Sequence, residues 1–364
     1  MDDTLNSADA GLGVTDVLPL GETPPAGRGD DDYSRSFHRV RSRLVNRAGL
    51  SYVEFVRNLQ PNYARVKFDV ALGYAMLVVS VVPCVVLSHL AFSPFVVAPL
   101  GAVLIGYWMA YLQLFLHEGA HYNLAPSRAG SDLLCDMLIG WIIGTSVDKY
   151  RKVHFHHHRA IGMADDSEFT YFFPLNAAFL LKSLFGIRAL EVIASRGRVI
   201  QKKDNVSSAP SWLDAQLSID ERQSAGSRVL IGGMLVHAAF VGLAVYLGYY
   251  SVAAAWVLGV GMVFPFFGAV RQLLEHRDDK ATADIDYSRT AHGAFTRMFG
   301  SGPFSSTFGG AGFNRHLLHH WEPNVSYTNL PQLEEFLAGT EMRSIMDRRR
   351  ATYSGVFLRL LSLR

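Results

Sequence analysis

Two stretches of this chain, residues 68–127 and 229–270, contain no lysine or arginine. That feature narrows the fold more than any other. Roughly 20 helical residues, rising about 1.5 Å each, cross about 30 Å of hydrocarbon. Each stretch is therefore long enough to cross a membrane twice. Composition agrees: charged residues make up 18% of the chain, against about 25% in a typical soluble domain. The spans are expected near residues 70–90, 95–116, 229–249 and 252–270. Ser93-Pro94 supplies the first turn, and a break at residues 248–251 supplies the second. Tyr249 and Tyr250 suit an interface. The expected architecture is an all-α integral membrane protein, with four transmembrane helices arranged as two hairpins.

Basic residues set the orientation. Neither hairpin tip carries any, whereas the central segment holds Lys149, Arg151, Lys152, Arg159, Lys182, Arg188, Arg196, Arg198, Lys202 and Lys203. The flanks outside the spans are basic as well. By the positive-inside rule, both termini and the centre face the cytoplasm. The histidine-bearing segments then form a helical cap on the cytosolic side.

The remaining segments are assigned by composition. Residues 1–32 are acidic, with a single arginine, Arg28, and read as a disordered tail; they lack the basic-then-apolar order of a secretory signal. Residues 33–65 alternate basic and apolar side chains and read as a juxtamembrane helical segment. Residues 66–340 form the membrane domain. Residues 341–364 read as a basic amphipathic helix, resting on anionic lipid or on the protein's own cap. Residues 133–145 and 171–187 are too short to span and read as interfacial or buried helices. Two cysteines, Cys84 and Cys135, provide neither a disulfide framework nor a thiolate cluster. A net charge of +2 gives no reason to expect a nucleic-acid partner.

Histidine carries the chemistry. The first group is His117-Glu118-Gly119-Ala120-His121, where positions i and i+4 share a helix face. The second is His154-Phe155-His156-His157-His158, in which His154, His157 and His158 have i, i+3, i+4 spacing. His156 is left ambiguous. The third, His316-Leu317-Leu318-His319-His320, repeats that spacing. One such pair arises by chance; eight histidines in three compact boxes, each near a span end on the same side, do not. Imidazole without thiolate suits zinc, copper, iron or nickel. A single zinc needs about four ligands, so eight favour two metals.

These boxes resemble those of the membrane fatty acid desaturase and hydroxylase superfamily, closest in look to bacterial acyl-lipid desaturases. Asn314 to Pro323 resembles the N-x-H-x-x-H-H-x-x-P arrangement found there. Gly162 and Asp165-Asp166 follow the second box as in many members, and Arg271 to His276 resembles the Arg…Glu-His element after the last span. The resemblance covers roughly residues 60–335. It implies that His276 is a ninth ligand beside His117, His121, His154, His157, His158, His316, His319 and His320. Metal-bound imidazoles need an acceptor for their other N–H. Glu118, Asp165, Asp166, Glu275 and Asn314 lie nearby in sequence for that supporting role. His237, inside a span, is expected to hydrogen-bond a neighbouring helix.

The resemblance further implies two iron ions, dioxygen as co-substrate, a lipid or acyl-chain substrate and a multi-pass location in a bacterial inner membrane. The expected reaction is introduction of a double bond into an acyl chain. Hydroxylation or ketolation of a fatty acyl, sphingoid or carotenoid lipid is the alternative on the same scaffold. A non-catalytic membrane metal-binding protein is a remote third, disfavoured because a carrier would place ionisable ligands along its spans. The sequence shows no iron–sulfur cysteine cluster and no fused haem element. An external ferredoxin or small cytochrome is therefore expected, docking near Lys149, Arg151 and Lys152. Trp108, Tyr111, Leu112, Phe115, Phe264, Phe266 and Phe267 are candidates for the walls of an apolar substrate tunnel.

Overall fold

The computed structural model describes residues 32–192, 194 and 219–362. Nearly all of the regular structure is helix, with one pair of two-residue parallel strands, Met298–Phe299 and Arg350–Ala351. Four helices are long and apolar enough to cross a membrane: Tyr63–His89, Pro94–Ala120, Gly226–Tyr246 and Tyr250–His276. The shortest has 21 residues, enough for a core of about 30 Å. Their outer faces expose Phe68, Val78, Phe95 and Met234, side chains that lipid would cover. The expected hairpins are present, with shifted ends. The first span starts at Tyr63, where the Asn62 side chain accepts the Arg65 N–H. The second and fourth run on through their histidines to Ala120 and His276.

Local chemistry explains the breaks. Pro94 occupies the first turn of the second span, where a missing N–H costs nothing. Gly248, at φ +80°, turns the third span into the fourth. The second span is the interior helix, with Ile105, Met109, Leu112 and Phe115 fully buried. It meets the fourth span through small residues. A Cβ on Gly106 would stand 2.6 Å from Val263, and one on Gly259 would stand 2.9 Å from Ile105. The fourth span loosens to a π-helical turn at Gly259–Val263 along this contact.

The chain between the hairpins begins with a helix, Arg128–Ile143, that bends by 89° into Val147–Ala160. Gly144, at φ +81°, makes the corner, and Asp136 accepts the Val147 N–H at 2.7 Å. The first arm exposes Leu133 and Met137, an apolar face suited to a membrane interface. It leans on two spans: the Tyr74 hydroxyl donates to the Leu138 carbonyl, and His237 Nε2 lies 3.0 Å from the Ile142 carbonyl. Trp256 Nε1 donates to His237 Nδ1 at 3.0 Å. The His237 proton therefore sits on Nε2 and goes to Ile142, which accounts for this histidine inside a span.

Ala177–Leu184 packs along the fourth span and Pro303–Phe308 against Tyr107 of the second, while most other described segments gather at the end of the bundle where the second and fourth spans finish. Tyr327 there donates to Asp69 near the start of the first span, and Gly226 at the start of the third lies against Lys149. Residues 33–65 hold short helices at Phe37–Val40 and Tyr52–Arg57, a 3-10 turn at Arg41–Arg43, and the beginning of the first span. They pack on the protein: Phe37 stacks on Trp321 with centroids 4.8 Å apart. Of the acidic residues 1–32, only Asp32 is described, and it is buried, accepting from Thr296 N–H at 2.7 Å. Residues 341–362 form the helices Arg343–Arg349 and Tyr353–Ser362 around the second strand, burying Met346, Tyr353 and Val356.

Candidate metal centre

The first box sits on the last turn of the second span, with His117 in the helix and His121 at its C-cap. The second lies within Val147–Ala160, the third in the short helix His316–Trp321, and His276 closes the fourth span. Arg151 fixes the second-box helix to the first box. Its guanidinium donates to the carbonyls of Gly119 and Ala120 at 3.0 and 2.8 Å, capping the second span, and pairs with Asp132.

The nine expected histidines converge. Ligand-capable atoms of His117, His121, His154, His158 and His319 lie within 4.8 Å of one another, and so do those of His157, His276 and His320. His316 joins the latter group, its Nε2 2.8 Å from that of His276 and 3.2 Å from that of His320. In the former, His154 Nε2 is 3.0 Å from His121 Nε2 and 2.9 Å from His158 Nε2, which is 3.0 Å from His319 Nε2. The groups adjoin, with the rings of His158 and His320 4.6 Å apart.

A hydrogen-bonded network does not explain this arrangement. Burial, reinforced by neighbouring imidazoles, pushes His158, His316, His319 and His320 well below the ordinary histidine value; burial also lowers His121. Neutral rings carry one proton each. Three of those protons sit on Nδ1 and face outward: His157 donates to Asp166 at 2.9 Å, His154 to Glu168 at 3.3 Å, and His276 to the Phe295 carbonyl at 3.2 Å. The Nε2 lone pairs of His154 and His276 then point inward at other Nε2 atoms. Both nitrogens of buried His117 lack a hydrogen bond. Donors about 2.1 Å from one ion, set at right angles around it, are about 3.0 Å apart. The observed spacings of 2.8 to 3.2 Å match that value. The carboxylates of Glu118, Asp166, Glu168 and Glu275 are buried nearby, with Arg271 as a buried cation beside Glu275. Buried carboxylates beside the imidazoles could balance the charge of two cations. The residues fit a pair of metal ions.

The supporting residues divide. Asp166 is the best connected, accepting from His157, from the Tyr171 hydroxyl at 2.5 Å and from the Glu168 N–H at 2.8 Å. Asp165, expected beside Asp166 in this role, has a side chain that is 72% exposed and lies 3.6 Å from His156, outside both groups. His156 is buried but belongs to neither group. The reason is helical phase: His157 and His158 lie about 60° and 40° to either side of His154, whereas His156 lies about 160° from it. Glu118 accepts the Tyr327 N–H at 3.2 Å and lies 3.7 Å from His117 Nδ1. Glu275 accepts from the Tyr353 hydroxyl at 3.3 Å and lies 4.0 Å from His316. Asn314 is buried in the 3-10 turn before the third box, where its N–H donates to the Gly309 carbonyl. Among the described residues its side chain bonds no box histidine.

Sequence reasoning missed Glu168, which supports His154 and is itself held by Gln272 Nε2 at 2.7 Å. Its only signal is the acidic run Asp165-Asp166-Ser167-Glu168. Tyr171 was also missed; besides donating to Asp166, its hydroxyl accepts the Gly162 N–H at 2.7 Å. Gly162, at φ +73°, packs so closely that a Cβ would stand 2.1 Å from Gly293. That turn swings Asp166 back beneath His157.

Fold and site together define a four-span membrane protein whose histidines form two adjoining groups able to hold metal. Residues 93–354 match the fatty acid desaturase family, and the chain belongs to that family. It is an enzyme of the desaturase and hydroxylase type, associated with membrane and acting on lipid or acyl chains. Among curated proteins, none matches the chain.

Proposed function

We propose that this enzyme is a di-iron desaturase that inserts a double bond into the acyl chain of a fatty acid or lipid. The observation that carries the reading is the convergence of nine imidazoles in two adjoining groups, braced by buried carboxylates. The overall reaction balances as one –CH2–CH2– unit, one dioxygen, two electrons and two protons giving one –CH=CH– unit and two waters. Bound iron would supply the oxygen activation that no side chain provides. His117, His121, His154, His158 and His319 would hold one ion; His157, His276, His316 and His320 would hold the other.

The protein's own part is positioning and protection. Asp166 and Glu168 hold protons on the Nδ1 atoms of His157 and His154, keeping each Nε2 lone pair turned to the metal. Tyr171 and Gln272 hold those two acids in turn. The acyl chain would run between the second and fourth spans. Residues 264–269 are all half-buried there, facing half-buried Tyr107 and Trp108, and Tyr107 and Phe267 meet edge to face with centroids 5.6 Å apart. Leu112 and Phe115, also expected in the tunnel wall, are fully buried packing residues. The basic segments favour an orientation with the boxes and both termini in the cytoplasm.

Analysis of lipids from cells with and without the chain, by mass spectrometry, tests the reading. An acyl species lacking a hydrogen pair, formed only with oxygen, supports it. A species that instead gains an oxygen assigns the chain to hydroxylation and refutes desaturation.

A further inference from the structure

Each turnover needs two electrons, and nothing in the metal centre stores them for reuse. The basic patch expected to receive a carrier loses Arg151 from its surface, leaving Lys149 and Lys152 exposed. Arg151 is buried against Gly119, Ala120 and Asp132, and Lys152 lies 3.5 Å from Asp148. A different surface reaches the centre. A cavity of about 490 Å³ opens between the N-terminal segment and the second and third boxes, lined by Arg35, Arg39, Arg41, Arg159, His158 and His320, among others.

Three features of this mouth agree. First, it touches one histidine from each group: His158 packs Nε2 to Nε2 with His154 and His319, while His320 does so with His316. Second, His158 is half-buried, whereas the other eight histidines are buried. The mouth is thus where the ligand shell comes nearest to solvent. Third, its rim is positive. Arg35, Arg39 and Arg159 are exposed and form no ion pair among the described residues, whereas Arg41 is matched by Glu322. The nearest described acid on the segment, Asp32, is turned inward onto Thr296.

We propose that this mouth is the docking site of an acidic one-electron carrier protein, which delivers electrons through the edge of His158. The inference rests on the di-iron reading above. Two reduced carriers visit in succession, each is oxidised by one electron, and the electrons go to the reduction of dioxygen to water in the balanced reaction already given. Redox encounters of this kind are small and weak, so complementary charge is what brings the partners together. Such steering raises association rates by about 10- to 1,000-fold and is screened by salt.

The test is binding, read without turnover. The probe is a soluble, acidic [2Fe–2S] ferredoxin, titrated against the detergent-solubilised full-length chain by biolayer interferometry. Compared with wild type, Arg35→Glu/Arg39→Glu is expected to lower the association rate at least about tenfold. Lys149→Glu/Lys152→Glu, on the patch suggested by sequence, is expected to leave it unchanged. The wild-type rate is expected to fall as salt rises. Should the double arginine variant fold poorly, the salt dependence of wild type still decides. Unchanged association after reversal at the mouth, or a salt-independent rate, overturns the proposal, whatever else occupies the mouth, the chain's own acidic residues 1–31 included. Lipid product formed by wild type with a small chemical reductant reads the desaturase assignment separately.

Discussion

Replacing Asp166 by asparagine isolates the device that orients the ligands. The carboxylate takes donors on both oxygens: His157 Nδ1 lies 2.9 Å from Oδ1 and 3.0 Å from Oδ2, the Glu168 N–H donates to Oδ1 and the Tyr171 hydroxyl to Oδ2. An amide keeps the shape but turns one acceptor into a donor. If its oxygen faces His157, the Tyr171 proton loses its partner. If it faces Tyr171, the Glu168 N–H loses its acceptor and His157 keeps one oxygen but meets a donor at the other position, which weakens the hold on its Nδ1 proton. Either outcome also removes the charge that makes His157 a stronger ligand. Changes at such supporting residues typically cost about 10- to 100-fold in metal affinity, or about 1.4 to 2.8 kcal/mol. The assay is iron retained per chain across a chelator titration, beside Asp165→Asn, which alters an exposed carboxylate outside both groups. Asp166→Asn should release iron at about 10- to 100-fold less chelator, and Asp165→Asn should follow wild type. Identical titrations for the two variants, or the reverse order, would refute the reasoning.

Three further outcomes follow from the same structure. Gly162→Ala forces a side chain into a left-handed turn already filled by Gly293; it should lower the thermal midpoint and iron content together, at a cost of at least about 1 kcal/mol, and an unperturbed variant would contradict that packing. Trp256→Phe removes the donor that fixes the His237 tautomer and should cost about 1 kcal/mol in detergent unfolding without changing iron content. Burial raises the Asp32 carboxyl from its ordinary 3.8 to about 6. Because the folded value exceeds the unfolded one, the stability it contributes is complete below pH 3.8 and is lost as pH rises through about 6, on the order of 3 kcal/mol in all. Hydrogen exchange, corrected for its intrinsic pH dependence, should show residues 32–43 better protected at pH 5 than at pH 7.5, and protection that grows with pH would exclude this anchor.

The convergence of the eight box histidines was legible because their signal is periodic; His276 came only from the family resemblance. An i, i+3, i+4 pattern survives reading without a structure, since a helix carries it directly into space. The spans were legible for a similar reason, being long and uniformly apolar. The supporting acids were legible only in part. Asp165 and Asp166 are adjacent and chemically identical, and a turn at Gly162 decides which of them lies beneath His157 while the other faces solvent. Glu168 reaches His154 through the same loop. Asp32 illustrates the limit of composition: it ends an acidic run read as a tail, yet its carboxylate is buried on Thr296. Arg151, counted among surface cations, instead caps the second span, because unpaired carbonyls at a helix end attract a guanidinium.

The central claim is that the nine histidines hold two irons. Its most direct test is the metal content of detergent-purified chain from iron-replete cells, measured by mass spectrometry beside a His157→Ala/His319→Ala variant that removes one ligand from each group. The account predicts about two irons per chain in the parent and their loss from the variant, with helix content preserved in both. One zinc, or no metal, at levels the substitutions leave unchanged would contradict it.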